Sequence, residues 1–109
     1  MGKLLVYTRP TSPDVEDEYN RWYDDVHLAD VCSVPSITGA QRFKVSTTQM
    51  EVMGAPDFEY LAIYDFSGSA QDVLDGLMAG GATWEISAAL DGASARVVVV
   101  DERGDRFNS

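Results

Sequence analysis

Apolar residues recur along this chain with two different periods. Between Val15 and Val34 the repeat is helical: at about 100° per residue, Val15, Tyr19, Trp22, Tyr23 and Val26 share one face. Asp17, Arg21, Asp24, Asp25 and Leu28 lie roughly opposite, and all but Leu28 are polar. Ser12 and Asp14 are candidate N-caps, and Pro13 suits a first helical turn. Asp14, Glu16 and Asp17 put negative charge where the helix dipole favours it. Pro35 then forces a stop. Elsewhere the period is two. Lys3–Arg9 reads as a strand with Leu5 and Tyr7 on one face and Leu4 and Val6 on the other. Ala40–Thr48 alternates Gln41, Phe43, Val45 and Thr47 against Arg42, Lys44 and Ser46. Phe58–Phe66 sets Phe58, Tyr60, Ala62, Tyr64 and Phe66 against Leu61 and Ile63. Ser94–Asp101 is a last strand with four consecutive valines.

A second helix opens with Ser69 as N-cap and Asp72 at the third helical position. Its apolar side is Val73, Leu74, Leu77 and Met78, and Gly80-Gly81 ends it. Met50–Pro56 reads as a long hairpin loop, and Thr83–Leu90 as a short further helical turn holding Trp84 and Ile86. The order β-α-β-β-α-β predicts an α+β, ferredoxin-like fold: a four-stranded antiparallel sheet with both helices on one face. A sheet covered on one face alone should alternate cleanly. Two strands here are apolar on both faces, so the second face is expected to be buried too. In 109 residues only a second copy of the chain supplies that cover. A homodimer with two sheets packed face to face is expected.

Composition narrows the partners. The length predicts a single domain over residues 1–109, with no repeat or linker. A net charge of −10 and eight scattered basic residues argue against nucleic acid and against anionic membranes. One cysteine precludes an intramolecular disulfide and a zinc-type cysteine cluster. The first residues are too short an apolar run for a signal peptide, and no stretch approaches the ~18 apolar residues of a membrane span. A cytoplasmic location is expected.

The stretch from Glu16 to Phe43 resembles the N-terminal signature of the EthD-like group of dimeric α/β-barrel proteins. The pattern is an acidic, aromatic helix with N-x-W-Y-x-x-x-H-x-x-D, here Asn20, Trp22, Tyr23, His27 and Asp30. A turn follows at Val34-Pro35, then a strand entering as A-x-R-F, here Ala40, Arg42 and Phe43. Ala29 replaces a proline common in that group, and Ser36 a glycine, which bear on loop shape more than chemistry. The resemblance covers about the first 45 residues. It implies a dimeric α/β barrel and a place among small cofactor-free enzymes on aromatic or polyketide pathways: cyclases, lactone isomerases and quinone-forming monooxygenases. It also admits accessory proteins of oxidative degradation.

The candidate chemistry centres on His27, whose ordinary pKa lies nearest neutrality. Asp24 and Asp30 are each three residues away and are candidates to orient it; the plainer role for His27 is to brace the helix end. Trp22 reads as core or as a substrate wall, and Tyr23 as a second catalytic group if its hydroxyl is not merely satisfied in the core. Tyr7, Tyr60 and Tyr64 line a cleft beside His27 if their strand faces meet the helices, and a dimer interface if not. Trp84 is a further candidate for substrate contact. Arg9 and Arg42 are candidates to hold an anionic or phenolate oxygen, although surface pairing with carboxylates is the commoner fate. Cys32 reads as a small buried hydrophobe. One histidine amid scattered carboxylates meets no metal-ligand spacing, and an axial haem ligand is weakly supported. The expected partner is a small hydrophobic molecule, with no cofactor and no metal. The leading function is acid/base cyclisation, isomerisation or dehydration. Cofactor-free oxygenation and a non-catalytic ligand-binding dimer are the alternatives.

Overall fold

The computed structural model describes all 109 residues. Strands β1 (Gly2–Thr8), β2 (Ile37–Lys44), β3 (Tyr60–Phe66) and β4 (Arg96–Asp101) form one antiparallel sheet in the order β2-β3-β1-β4. Residues directly opposite one another share a face. Leu4 stands opposite both Tyr64 and Val99, and Ala62 opposite both Val6 and Arg42. Leu4, Thr8, Tyr60, Ala62, Tyr64 and Phe66 therefore face one way, and all six are buried. Leu5, Tyr7, Leu61 and Ile63 face the other way and are half-buried, while Phe43 and Val98 on that face are each 41% exposed. Two helices cover the first face. This is the ferredoxin-like βαββαβ arrangement that the element order predicts.

Strand lengths are set by the partner strand more than by the strand's own pattern. β2 begins at Ile37, before Ala40, because Ile37 pairs with Phe66 across a local irregularity between Ile37 and Gly39. It ends at Lys44, short of Thr48, because β3 begins opposite at Tyr60. Phe58 leaves the strand and packs on Tyr7, with ring centroids 4.4 Å apart. β4 starts at Arg96 rather than Ser94, opposite Tyr7. Thr83–Leu90 is not helical. Its carbonyls are used elsewhere: Glu85 accepts from the Trp22 indole at 3.0 Å, and Ala89 accepts from the Thr11 backbone at 2.8 Å.

Helix α1 occupies residues 16–32, entered through a 3-10 turn at Pro13–Val15. Ser12 sits at the start of that turn in extended conformation, but its side chain makes no capping bond. The helix is not uniform: Tyr23–His27 is a π turn, closed by the Leu28 N–H donating to the Tyr23 carbonyl five residues back. The wider turn moves the apolar stripe. Tyr19, Tyr23 and Val31 are buried at steps of four and eight residues. Val26, expected on the core face, is 41% exposed, and Leu28, expected opposite, packs against the core.

Helix α2 (Ala70–Gly81) starts as predicted, with the Ser69 hydroxyl accepting from the Asp72 N–H at 3.1 Å. It buries Val73 and leans on the end of α1 through Gly76, where a Cβ would stand 2.6 Å from Val34 Cγ1. Leu74 and Met78 of the expected stripe stay exposed as a result of that lean. No helix is long and apolar enough to cross a membrane.

Candidate functional site

The π turn delivers His27 to the rim of the covered sheet face. Its ring stacks on Trp22 at 4.5 Å and 22°, meets Tyr23 edge-on at 5.0 Å, and faces the edge of Trp84 at 6.2 Å. Trp84 is held there because Gly80 leaves space for its indole; a Cβ at Gly80 would stand 2.6 Å from it. His27 Nδ1 is buried and has no hydrogen-bond partner. Burial pushes the imidazole pKa below its ordinary value, opposed by Asp30 and reinforced by Arg42. The ring is thus neutral near pH 7. Asp24 does not orient it: its carboxylate accepts instead from Arg42 Nη1 at 2.8 Å.

Arg42 is the second centre. It reaches in from β2, and its side chain is only 11% exposed. The guanidinium lies 4.2 Å from the ring centre of Tyr23, 5.0 Å from Tyr60 and 5.3 Å from Tyr19, each a cation–π distance. Its Nε and Nη2 are buried without partners. The surrounding phenols divide into two kinds. Tyr19 bonds the buried Thr8 hydroxyl, and Tyr60 donates to Glu16 while accepting from Asn20 Nδ2 at 3.0 Å. The hydroxyls of Tyr23 and Tyr64 meet only each other, short of a well-formed hydrogen bond. Burial pushes the Tyr19 phenol up to about 12 and raises Tyr23 and Tyr64 as well, so all three are neutral at ordinary pH.

Buried polar atoms are nearly always paired. Seven buried side-chain atoms in this chain are not, and six of them gather here: Asn20 Oδ1, Tyr23 OH, His27 Nδ1, Arg42 Nε and Nη2, and Tyr64 OH. Ser36 Oγ is the seventh. The cluster has hydrogen-bonding capacity that the protein itself does not use.

The fold thus brings His27, Tyr23, Trp22, Asp24, Arg42, Tyr60, Tyr64 and Trp84 to one region. It does not bring Tyr7 or Arg9. Tyr7 lies one position out of phase with Leu4 and Thr8, so it points to the opposite sheet face, against Phe58. Arg9 donates from Nε to Asp91 at 3.0 Å and from Nη1 to the Asp57 carbonyl at 3.4 Å, beyond the end of β1. Cys32 is half-buried, and burial raises its thiol pKa. Sequence reasoning placed Tyr19 on the apolar face, Glu16 in the first turn and Asn20 in the motif, and gave none of them a place at the site. Glu16 and Asn20 are four apart on α1, and that spacing is the signal that they share a face toward Tyr60.

A cavity of about 630 Å³ borders the cluster at Trp22, lined also by Arg21, Val26, Glu85 and Ile86, and other cavities lie farther off. One of about 580 Å³ opens on the opposite sheet face, lined by Phe43, Met53, Pro56, Phe58, Leu61 and Ile63. The space between α1 and the sheet is filled by Tyr19, Tyr23, Tyr64 and Phe66, each at most 1% exposed. No group of three His, Cys, Asp or Glu side chains is placed to hold a metal ion.

No family model matches the chain, and no curated protein does. Solved structures do match, over nearly the full length of both chains. An ethyl tert-butyl ether D (EthD) family protein from Bacillus halodurans has a TM-score of 0.62 at 12% identity, covering 94% of this chain and 99% of that one. A mutant of MhuD with two manganese protoporphyrin IX molecules bound per active site has a TM-score of 0.61 at 12% identity, covering 99% and 100%. HapK from Hahella chejuensis has a TM-score of 0.56 at 16% identity, covering 100% and 99%. At such identities the likeness is one of fold: the ferredoxin-like α+β fold, shared with a protein of the EthD family, the group whose signature the helix motif resembles. A porphyrin does not fit the arrangement seen here. The tyrosines fill the layer between helix and sheet, and His27 is stacked against an indole.

Proposed function

We propose that this chain is a small acid/base enzyme of the EthD-like type, acting without a resident cofactor on a hydrophobic aromatic, polyketide-like or lactone substrate. The observation that carries the reading is the cluster of unpaired buried polar atoms around His27 and Arg42. Such groups cost stability unless a ligand completes them. His27 starts neutral and serves as base. It takes a proton from the carbon next to a substrate carbonyl, and the electron pair moves onto the carbonyl oxygen. Arg42 supports that oxyanion, with the neutral Tyr23 phenol as a further donor. Return of the proton at another carbon completes an isomerisation. Attack of the enolate carbon on a second carbonyl, whose oxygen takes up the proton held by His27, completes a cyclisation. Trp22, which borders a cavity of about 630 Å³, and Trp84 supply flat apolar walls, with Tyr60 and Tyr64 behind them in the filled layer.

A non-catalytic ligand-binding dimer is the second reading, favoured by the filled layer between α1 and the sheet. His27 argues against it, being half-buried among aromatic rings rather than turned to solvent. We place the second copy on the open sheet face in either case.

Turnover of a panel of phenolic, polyketide-like and lactone compounds tests the choice, with and without chelator. His27→Ala is expected to lower turnover about 10²–10⁴-fold, the usual size of a general acid/base contribution. His27→Gln keeps one hydrogen bond but shuttles no protons near neutral pH. Restoration of activity by glutamine would reduce His27 to a positioning residue. Full activity in both variants would remove it from the mechanism.

A further inference from the structure

We propose that Asp24 is a built-in placeholder on Arg42, and that the natural ligand of the site carries a carboxylate that displaces it. The inference rests on the reading of this cluster as a ligand site, and adds the charge and shape of the ligand. A guanidinium offers two edges to a planar anion, each with two N–H groups in a fork. Asp24 uses only Nη1, at 2.8 Å, while Nε and Nη2 are left without partners. The two ends of the pair are unequal. Arg42 is 11% exposed, whereas Asp24 is 58% exposed on the rim of α1. An ion pair whose carboxylate is that exposed is held weakly, because water competes for it and salt screens it.

An incoming carboxylate replaces one negative charge by another, so the buried cation keeps a counter-ion throughout. It can also bond two N–H groups where Asp24 bonds one. The net charge of −10 makes a general affinity for anions implausible, so the attraction has to be local. Arg42 itself supplies it, because Lys44, the next residue on the same face of β2, is already paired with Glu16 at 3.5 Å. The faces around the cation are aromatic, with Tyr23, Tyr60 and Tyr19 within 5.3 Å of the guanidinium carbon. A flat unsaturated acid fits that setting better than an aliphatic one.

Sodium benzoate is the probe, with benzamide and phenol as uncharged analogues at pH 7. Binding is read from chemical shifts of backbone and indole N–H groups, which needs no turnover. Asp24→Asn is expected to bind benzoate about 5–10-fold tighter than the native chain, as removal of a rim charge pair frees Arg42. Arg42→Lys keeps the charge but loses the fork, and is expected to weaken benzoate at least about 10-fold. Arg42→Gln is expected to abolish saturable binding, with its thermal melt confirming the fold. Equal affinity in Asp24→Asn and the native chain would overturn the placeholder role. Equal affinity for phenol or benzamide, or no loss in Arg42→Lys, would overturn the carboxylate assignment. His27→Gln is expected to retain benzoate, which separates the two readings. Loss of turnover with retained benzoate supports both. Native turnover of a substrate panel that ignores Arg42→Lys leaves the catalytic reading standing and sinks this one.

Discussion

At the residue scale, the site is held in a state that costs stability. His27 illustrates this through its titration. Burial lowers its pKa below the ordinary value of about 6.5, so the folded protein binds fewer protons than the unfolded chain just below that pH. Stability is therefore complete above about pH 6.5 and declines as pH falls toward the folded pKa. The melting temperature of the native chain is expected to drop between pH 7 and pH 5.5, and that of His27→Gln to stay flatter over the same range. The depressed carboxyls of Glu16, bonded by Tyr60, and Asp91, bonded by Arg9, lose their contributions at lower pH, below the ordinary carboxylate range. The tyrosines offer a second contrast. Tyr64→Phe removes a buried hydroxyl that makes no well-formed hydrogen bond, and is expected to leave stability unchanged or raise it by about 1 kcal/mol. Tyr19→Phe strands the buried Thr8 hydroxyl and is expected to cost about 1–2 kcal/mol. Urea unfolding of the pair measures both. A loss at Tyr64 as large as at Tyr19 would mean that its hydroxyl is satisfied after all.

At the scale of the element, the π turn is the feature that builds the site. A straight α-helix through residues 16–32 carries Tyr19 and Val31 on drifting faces, since a step of four residues overshoots one turn. The extra residue of the π turn absorbs the drift and points His27 inward between Trp22 and Tyr23. Val26 is exposed within that turn, so its deletion allows a regular helix with little loss from the core. The deletion variant is expected to keep its far-UV circular dichroism and to stay within about 1 kcal/mol of native stability. On the proposed acid/base reading, its turnover is expected to fall about 10²-fold or more, because small misplacements of a catalytic group carry that penalty. Unfolding of this variant would instead make the π turn a requirement of the core.

At the scale of the whole molecule, the open sheet face is the unfinished part. Leu5, Leu61 and Ile63 are half-buried there, beside Phe43 and Val98, in a chain that is otherwise strongly acidic. On the proposed assembly, the second copy covers this apolar face. Light scattering at micromolar concentration is expected to give about twice the 11.9 kDa chain mass. Val98→Asp, on the β4 edge of that face opposite Leu5, is expected to give monomer or aggregate, since a buried unpaired charge is costly. A monodisperse native monomer would remove the two-sheet assembly.

Much of this was legible in the chain itself. Alternation in Phe58–Phe66 and the valines of the last strand marked the sheet, and Ser69 with Asp72 marked the start of α2, because backbone period and capping are local properties. The run from Asn20 to Asp30 marked the candidate site, since an imidazole beside indole and phenol rings is a chemical pattern that needs no fold to be noticed. Other features depended on contacts between distant segments. Tyr7 fell on the open face and Tyr60 on the covered one because strand pairing, not strand composition, sets which parity meets the helices. Asp24 paired with Arg42 rather than His27 because a guanidinium eighteen residues away in sequence arrived closer than the imidazole on its own helix. The π turn exchanged Val26 for Leu28 at the core, since one widened turn rotates every later side chain. The chain by itself determined its main strands and helices and named its candidate residues. Only the packing of α1 on the sheet decided which of those residues meet, because orientation and burial are properties of the pair of surfaces and not of either segment alone.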